Sequence, residues 1–144
     1  MMSLKNSPYF NEAFNELNYS FGNYYLFETF VVAEINEDIV YKWEEHGKQV
    51  AADISNLYSS NGKNLTYLTN RINNYAVQPA DWVKFYKNSF KLKGYGIINY
   101  TETSYFNGFL EKLFFNAKFR NFTSLDDAIV WAKQISDVKI CQVS

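Results

Sequence analysis

The sequence predicts a single α/β domain on a mostly parallel sheet, with an N-terminal antiparallel hairpin strand. Three observations predict it. The chain has 144 residues, the size of one domain and enough for a core without disulfides or metal. From residue 39 onward, β-prone runs alternate with stretches whose apolar residues recur every three or four positions. Strands separated by helices need crossovers, and crossovers make neighbouring strands parallel. The predicted order is ββαβαβαβα.

Each element has its own signal. Residues 1–8 read as a loose tail, and residues 1–14 together as a tail or short helix. "LNYSF" and "YYLFE" flank Gly22-Asn23, a two-residue hairpin signal. The second run continues to Ile35. That is long for one strand, so a bulge is expected near Glu28-Thr29. "NED" at 36–38 is turn and cap chemistry. From Ile39 the period is helical. Val40, Trp43, Gly47, Val50, Ala51, Ile54 and Leu57 share a face, and Gly47 there implies close approach to the sheet. Gly62 is the expected stop.

"NLTYLT" at 64–69 is the next strand. Pro79 suits the first turn of a second helix, and Asp81 suits its dipole. Trp82, Val83, Phe85 and Tyr86 give that helix an apolar side. "GYGIINY" at 94–100 is a strand. "TETSYFNGFLEKLFF" is a helix with Phe106, Phe109, Leu110 and Leu113 inward. In "AKFRNF", Lys118 and Arg120 point opposite to Phe119, which predicts an edge strand. Ser124 with Asp127 three residues on resembles a capping box. Ala128, Trp131, Ala132 and Ile135 form the closing stripe. The domain therefore spans 15–136, with 137–144 as a C-terminal tail.

Composition narrows the function. Net charge is −1, without a lysine-rich run, so no nucleic-acid partner and no anionic-membrane patch are expected. No stretch approaches the ~20 apolar residues of a membrane span, and no signal peptide is visible. A single cysteine, Cys141, fits a reducing cytoplasm. With 12 tyrosines beside 13 phenylalanines, some aromatic rings are expected half exposed. Together with the hairpin edge, this points to a weak homodimer.

The order ββαβαβαβα, with "YYLFETFVVAEINEDIVYKW", "YLTNRINNYAVQPADW" and "FRNFTSLDDAIVWA", resembles the STAS domain and its SpoIIAA-like (STAS/SEC14-type) bacterial branch. The resemblance covers roughly residues 15–136. It implies a non-enzymatic regulatory or protein-interaction module. Phosphoswitch members carry a serine or threonine at the start of the helix after the third strand. The matching stretch between Asn70 and Trp82 has neither, so that switch does not carry over.

Catalytic and metal motifs are not found. His46 and Cys141 have no partners at ligand or nucleophile–base spacing, so no metal, cofactor or thiol chemistry is expected. The acidic pairs "EE" and "DD" read as solvated helix faces, and Gly94 and Gly96 form no phosphate loop. The best candidate is the loop after "NLTYLT", comprising Asn70, Arg71, Asn73, Asn74, Asp81 and Trp82. Ligands of alternating α/β sheets bind beyond the carboxyl ends of strands. The loop serves either an anion through Arg71 and the helix N-terminus, or architecture through an Arg71–Asp81 pair and asparagine turns. The expected partner is thus a protein, or a small apolar or anionic ligand held by a carrier or sensor.

Overall fold

The structure, a computed structural model, describes residues 2–59, 64–73, 75–88, 92–100 and 118–143. For Pro79, Trp82, Phe85, Tyr86, Asn88, Lys118 and 136–143 it describes the backbone alone. Two short 3-10 helical turns (Leu4–Asn6 and Pro8–Glu12) come first, then three antiparallel strands: β1 (Asn15–Tyr19), β2 (Gly22–Leu26) and β3 (Phe30–Ile35). Then follow β4 (Val40–Tyr41), a π-helical turn (Trp43–Gly47), α1 (Lys48–Tyr58), β5 (Thr66–Arg71) and β6 (Ala76–Val77). The rest is α2 (Pro79–Asn88), β7 (Gly94–Asn99), β8 (Lys118–Phe122) and α3 (Leu125–Val143).

The main sheet has the order β1-β2-β3-β5-β7-β8, and β3, β5, β7 and β8 run parallel. Parallel neighbours need crossovers. The helix α1 crosses from β3 to β5, and α2 from β5 to β7. The helix expected at 101–115 lies outside the described residues, as do Gly62 and Asn74. The basic strand β8 is indeed an edge. Arg120 is exposed, while Phe119 packs inward.

Local chemistry differs from expectation in several places. The first hairpin turns at Ser20-Phe21, because Tyr19 pairs with Gly22. Gly22 is therefore a strand residue, needed for close approach. A Cβ there would lie 2.7 Å from the Glu34 carbonyl oxygen and 3.0 Å from the Ile35 Cα. Backbone cannot yield as a side-chain tip can, so Gly22→Ala is expected to cost about 1–3 kcal/mol. Urea denaturation measures this, and an unchanged midpoint would contradict it.

The predicted bulge at Glu28-Thr29 is a turn between two separate strands. Phe27 donates its N–H to the Phe30 carbonyl at 2.9 Å, and the two rings stack at 4.3 Å. The first long helix begins at Trp43 rather than Ile39. Asp38 adopts a left-handed φ of 64°, and Val40-Tyr41 is extended. Gly47 closes on rings, not on the sheet. A Cβ there would lie 3.0 Å from Trp43 Cε3. The helix α1 ends at Ser59, with φ 52° and ψ 41°.

Side chains alternate along strands, so each strand feeds two cores. On one face Tyr24, Val31, Ala33, Tyr67, Tyr95 and Ile97 pack under α1. On the other, Val32, Leu68, Ile98 and Phe122 pack under Ala128, Ile129 and Ala132 of α3. The N-terminal segment completes this second face. The expected loose tail over residues 1–8 is instead pinned there, with Leu4 fully buried and Ser7 nearly so. The start of α3 keeps half of the predicted capping box. Asp127 donates its N–H to Ser124 Oγ at 3.4 Å, a long bond. At the other end, the backbone of the expected 137–144 tail continues the helix to Val143.

Candidate functional site

The carboxyl ends of β3 and β5 lie side by side, and each releases a loop that folds over the sheet. The first loop carries Tyr41 and Trp43. The second carries Tyr75, Val77 and, at the start of α2, Asp81. A two-residue parallel ladder joins them, Val40 with Ala76 and Tyr41 with Val77. Asp81 Oδ1 accepts the Trp43 N–H at 3.0 Å, which ties the first loop to α2. Asn73 Nδ2 donates to the Ile35 carbonyl at 3.1 Å, which ties the second loop to β3.

Beneath the loops, strand register builds an aromatic floor. Tyr67 is the cross-strand neighbour of Tyr95, and Tyr95 of Phe119. Their rings stack at 5.3 Å and 6.1 Å, nearly parallel. Tyr24 meets Tyr67 edge-on at 6.5 Å, and its hydroxyl lies 2.7 Å from that of Tyr41. The Tyr95 hydroxyl lies 3.2 Å from Thr69 Oγ1. Between floor and loops is a cavity of about 20 Å³. That is room for about one water.

The pocket's electrostatics are simple. Burial raises the phenol pKa values of Tyr41, Tyr67, Tyr75 and Tyr95 above the ordinary value. All four are therefore neutral hydroxyls at physiological pH. Asp81 is the only charged side chain among the described residues that line the pocket. Arg71 flanks the pocket at Tyr75, its guanidinium 4.2 Å over the Tyr75 ring and donating to the Tyr75 carbonyl at 2.8 Å. No group of three metal-capable side chains occurs among the described residues.

Of the sequence candidates, Asp81 lines the pocket, Arg71 flanks it and Asn73 anchors its second loop. Asn74 and the Trp82 side chain lie outside the described residues. Asn70 goes elsewhere. The strand β5 continues to Arg71 rather than ending at 69, so Asn70 and Arg71 face opposite sides of the sheet. Asn70 joins a buried polar cluster on the α3 face. Its Nδ2 donates to Glu34 Oε2 at 2.8 Å and to the Met2 carbonyl at 2.9 Å. Its Oδ1 accepts from the Tyr100 hydroxyl at 2.7 Å. Glu34 Oε2 also accepts the Leu4 N–H at 2.7 Å. His46 is a packing residue. Its Nδ1 accepts the Lys42 N–H at 2.9 Å, and its ring lies 4.5 Å from that of Phe21.

Burial raises the Glu34 pKa above the ordinary carboxylate value of 4.5. The Leu4 and Asn70 hydrogen bonds and Lys5 offset this only in part. A raised acid pKa means the folded protein holds the proton more tightly than the unfolded chain. Stability from this group is thus full at low pH and falls as pH rises from about the unfolded value through the folded one. The substitution Glu34→Gln keeps an acceptor for both donors and cannot ionise. The stability of this variant relative to the parent should therefore increase as pH is raised from 4 to 8. Parallel melting curves across that range would show that the carboxylate carries no such penalty.

Sequence reasoning missed Tyr41, Trp43, Tyr67, Tyr75 and Tyr95 as site residues. The available signal was the matched position of tyrosine in "TYLT" and "GYGI", which places Tyr67 and Tyr95 on one face. No protein-family model, curated protein or solved structure matches the chain.

Proposed function

We propose that the chain is a non-enzymatic binding module of STAS-like type, a carrier or sensor whose small ligand occupies the tyrosine pocket. One observation carries the reading. The loops that leave the carboxyl ends of β3 and β5, where alternating α/β folds bind ligands, close over an aromatic-lined cavity and are joined by two ladder pairs and the Trp43–Asp81 hydrogen bond. The neutral phenols and the Asp81 carboxylate favour recognition over turnover. The alternation of strand and helix after β3 supports the STAS-like part, while the start departs from the expected order, with three antiparallel strands in place of two. A thermal-shift screen of small polar and aromatic compounds is the test. Saturable stabilisation by a compound that shifts Trp43 and Tyr95 resonances is expected. Stabilising compounds whose shifts all fall elsewhere would refute the site.

A protein-interaction module is the second reading, and it rests on β1. This strand is an outer edge of the sheet, beside the exposed ring of Phe14. An open edge invites pairing with another strand. A dimer is then expected by sedimentation at high micromolar concentration. A monomer mass there would remove self-pairing through this edge.

A further inference from the structure

We infer that His46 is a pH-operated latch on the loop that carries Tyr41 and Trp43, and that charging its imidazole releases this loop. The inference does not depend on the ligand reading above. Lys42 stands at the entrance of the π-helical turn with an extended backbone, φ −123° and ψ 146°, and its side chain makes no capping bond. His46 closes this end instead. The Lys42 carbonyl accepts the His46 N–H at 2.9 Å, and the Lys42 N–H donates to His46 Nδ1 at 2.9 Å. The reciprocal pair has the logic of a capping box, with an imidazole in place of the usual glutamate or glutamine. A ring nitrogen that accepts carries no proton, so His46 is neutral here, with its proton on Nε2. Imidazolium is a donor at both nitrogens. The second proton and the Lys42 N–H therefore compete for one lone pair, and a charged His46 cannot hold the bond.

The groups around the ring do not replace that bond. Its own turn brings Glu45, whose Oε2 lies 4.0 Å from His46 Nε2, and Lys42, whose Nζ lies 3.7 Å from Glu45 Oε1. The Glu45 side chain is 63% exposed, so its pull on an imidazolium is weak. The strand β4 brings the uncharged Tyr41 ring, stacked at 5.3 Å, and the β1–β2 turn brings Phe21 at 4.5 Å. Behind Phe21 stacks Tyr19, and the Asp53 carboxylate there accepts from Tyr19 and Gln49. The ring thus ties Phe21, the Tyr41 ring and the Lys42 backbone into one corner. Losing the Lys42 bond frees the peptide between Tyr41 and Trp43, the two residues that this loop gives to the cavity. The bond's contribution is complete while His46 is neutral and is lost as pH falls through the range in which it charges. An imidazole in an unfolded chain charges at about pH 6.5, and His46 is the only histidine in the sequence.

The test follows the whole protein by NMR from pH 8 to pH 5. At pH 8, ring-nitrogen spectra should place the single proton of His46 on Nε2 and leave Nδ1 bare. As the pH is lowered, the carbon-bound ring protons of His46 report its charging. The Lys42 amide and the Tyr41 ring should shift with the same midpoint. Exchange of the Lys42 amide, corrected for its intrinsic pH dependence, should speed up at least about five-fold. His46→Gln keeps an acceptor within reach of the Lys42 N–H and cannot charge, so its loop signals should stay constant over the range. Ionisation of Glu34, on the other face of the sheet, is removed as a cause by repeating the series in Glu34→Gln, where the coupled response should persist. Should His46→Gln fail to fold, the coincidence of midpoints in the parent decides. A proton on Nδ1 at pH 8 overturns the latch. So do Lys42 and Tyr41 signals that stay fixed while His46 charges, a His46 that stays neutral down to acid unfolding, and the same pH response in folded His46→Gln.

Discussion

Leu4→Ala should lower the stability of the protein by about 2–5 kcal/mol, the range for emptying a leucine-sized core site. Leu4 lies only four residues into the sequence, yet it is fully buried in the cluster with Tyr25, Phe30 and Val32. Its backbone is held as well, because the Leu4 N–H ends on Glu34 and the Met2 carbonyl on Asn70. Removing residues 1–7 should cost at least as much. It would uncover the second core face and leave Glu34 with one donor fewer. Pro8 onward would still be held by the Phe10–Tyr25 ring contact and by the Lys133–Glu12 ion pair at 2.7 Å. Urea denaturation of both variants checks this. Midpoints within error of the parent would mean that the segment rests on the sheet without supporting it.

That segment shows where sequence reasoning stops. "MMSLKNSPYF" has no period, so nothing marks Leu4 as core. Its burial depends on a gap that α3 leaves over β2 and β3. Elements with their own chemistry were legible. Pro79 starts α2 and Ser124 precedes α3, as expected from a missing donor and a capping hydroxyl. The parallel sheet followed from alternation alone, because a helix between strands permits little else. Register was not legible. Gly22-Asn23 carries a stronger turn signal than Ser20-Phe21, but Gly22 is required against the Glu34 carbonyl, and that packing moves the turn.

The candidate site was legible in place but not in content. Sheet topology puts ligands at the carboxyl edge; the pocket lies under the loops that leave this edge, with its floor, Tyr67 and Tyr95, near the start of β5 and β7. Its residues come from both loops and from three strands, β3, β5 and β7, so no window of sequence contains it. Arg71 and Asn70 looked like one loop. Two more residues of strand send them to opposite faces, one beside the tyrosines and the other into the Glu34 cluster. The ladder between β4 and β6 is two residues long, too short for any pattern to announce. Its partners meet only because β3 and β5 end side by side.

Trp131→Ala should cost about 3 kcal/mol, the lower end of the range for losing a large aromatic from a core. The residue sits on the α3 stripe between the buried Ala128 and Ile135, but its ring is only partly covered. One side of the ring meets Phe122 at 5.3 Å. The edge lies over Gly96, where an added Cβ would stand 3.3 Å from Trp131 Cζ3, 3.3 Å from Phe122 Cε2 and 2.7 Å from Leu68 Cδ2. Gly96 thus leaves the floor on which Leu68, Phe122 and Trp131 converge. Gly96→Ala alone should destabilise, because three side chains must give way at once. In the double variant, Leu68 can turn into the space that the indole vacates. The double should therefore lose less than the sum of the singles, by an amount in the ~0.5–3 kcal/mol range of coupled neighbours. Chemical denaturation of the two singles and the double measures the coupling. Strict additivity would mean that Trp131 does not press on the sheet at Gly96, and that α3 is held by its alanine and isoleucine contacts alone.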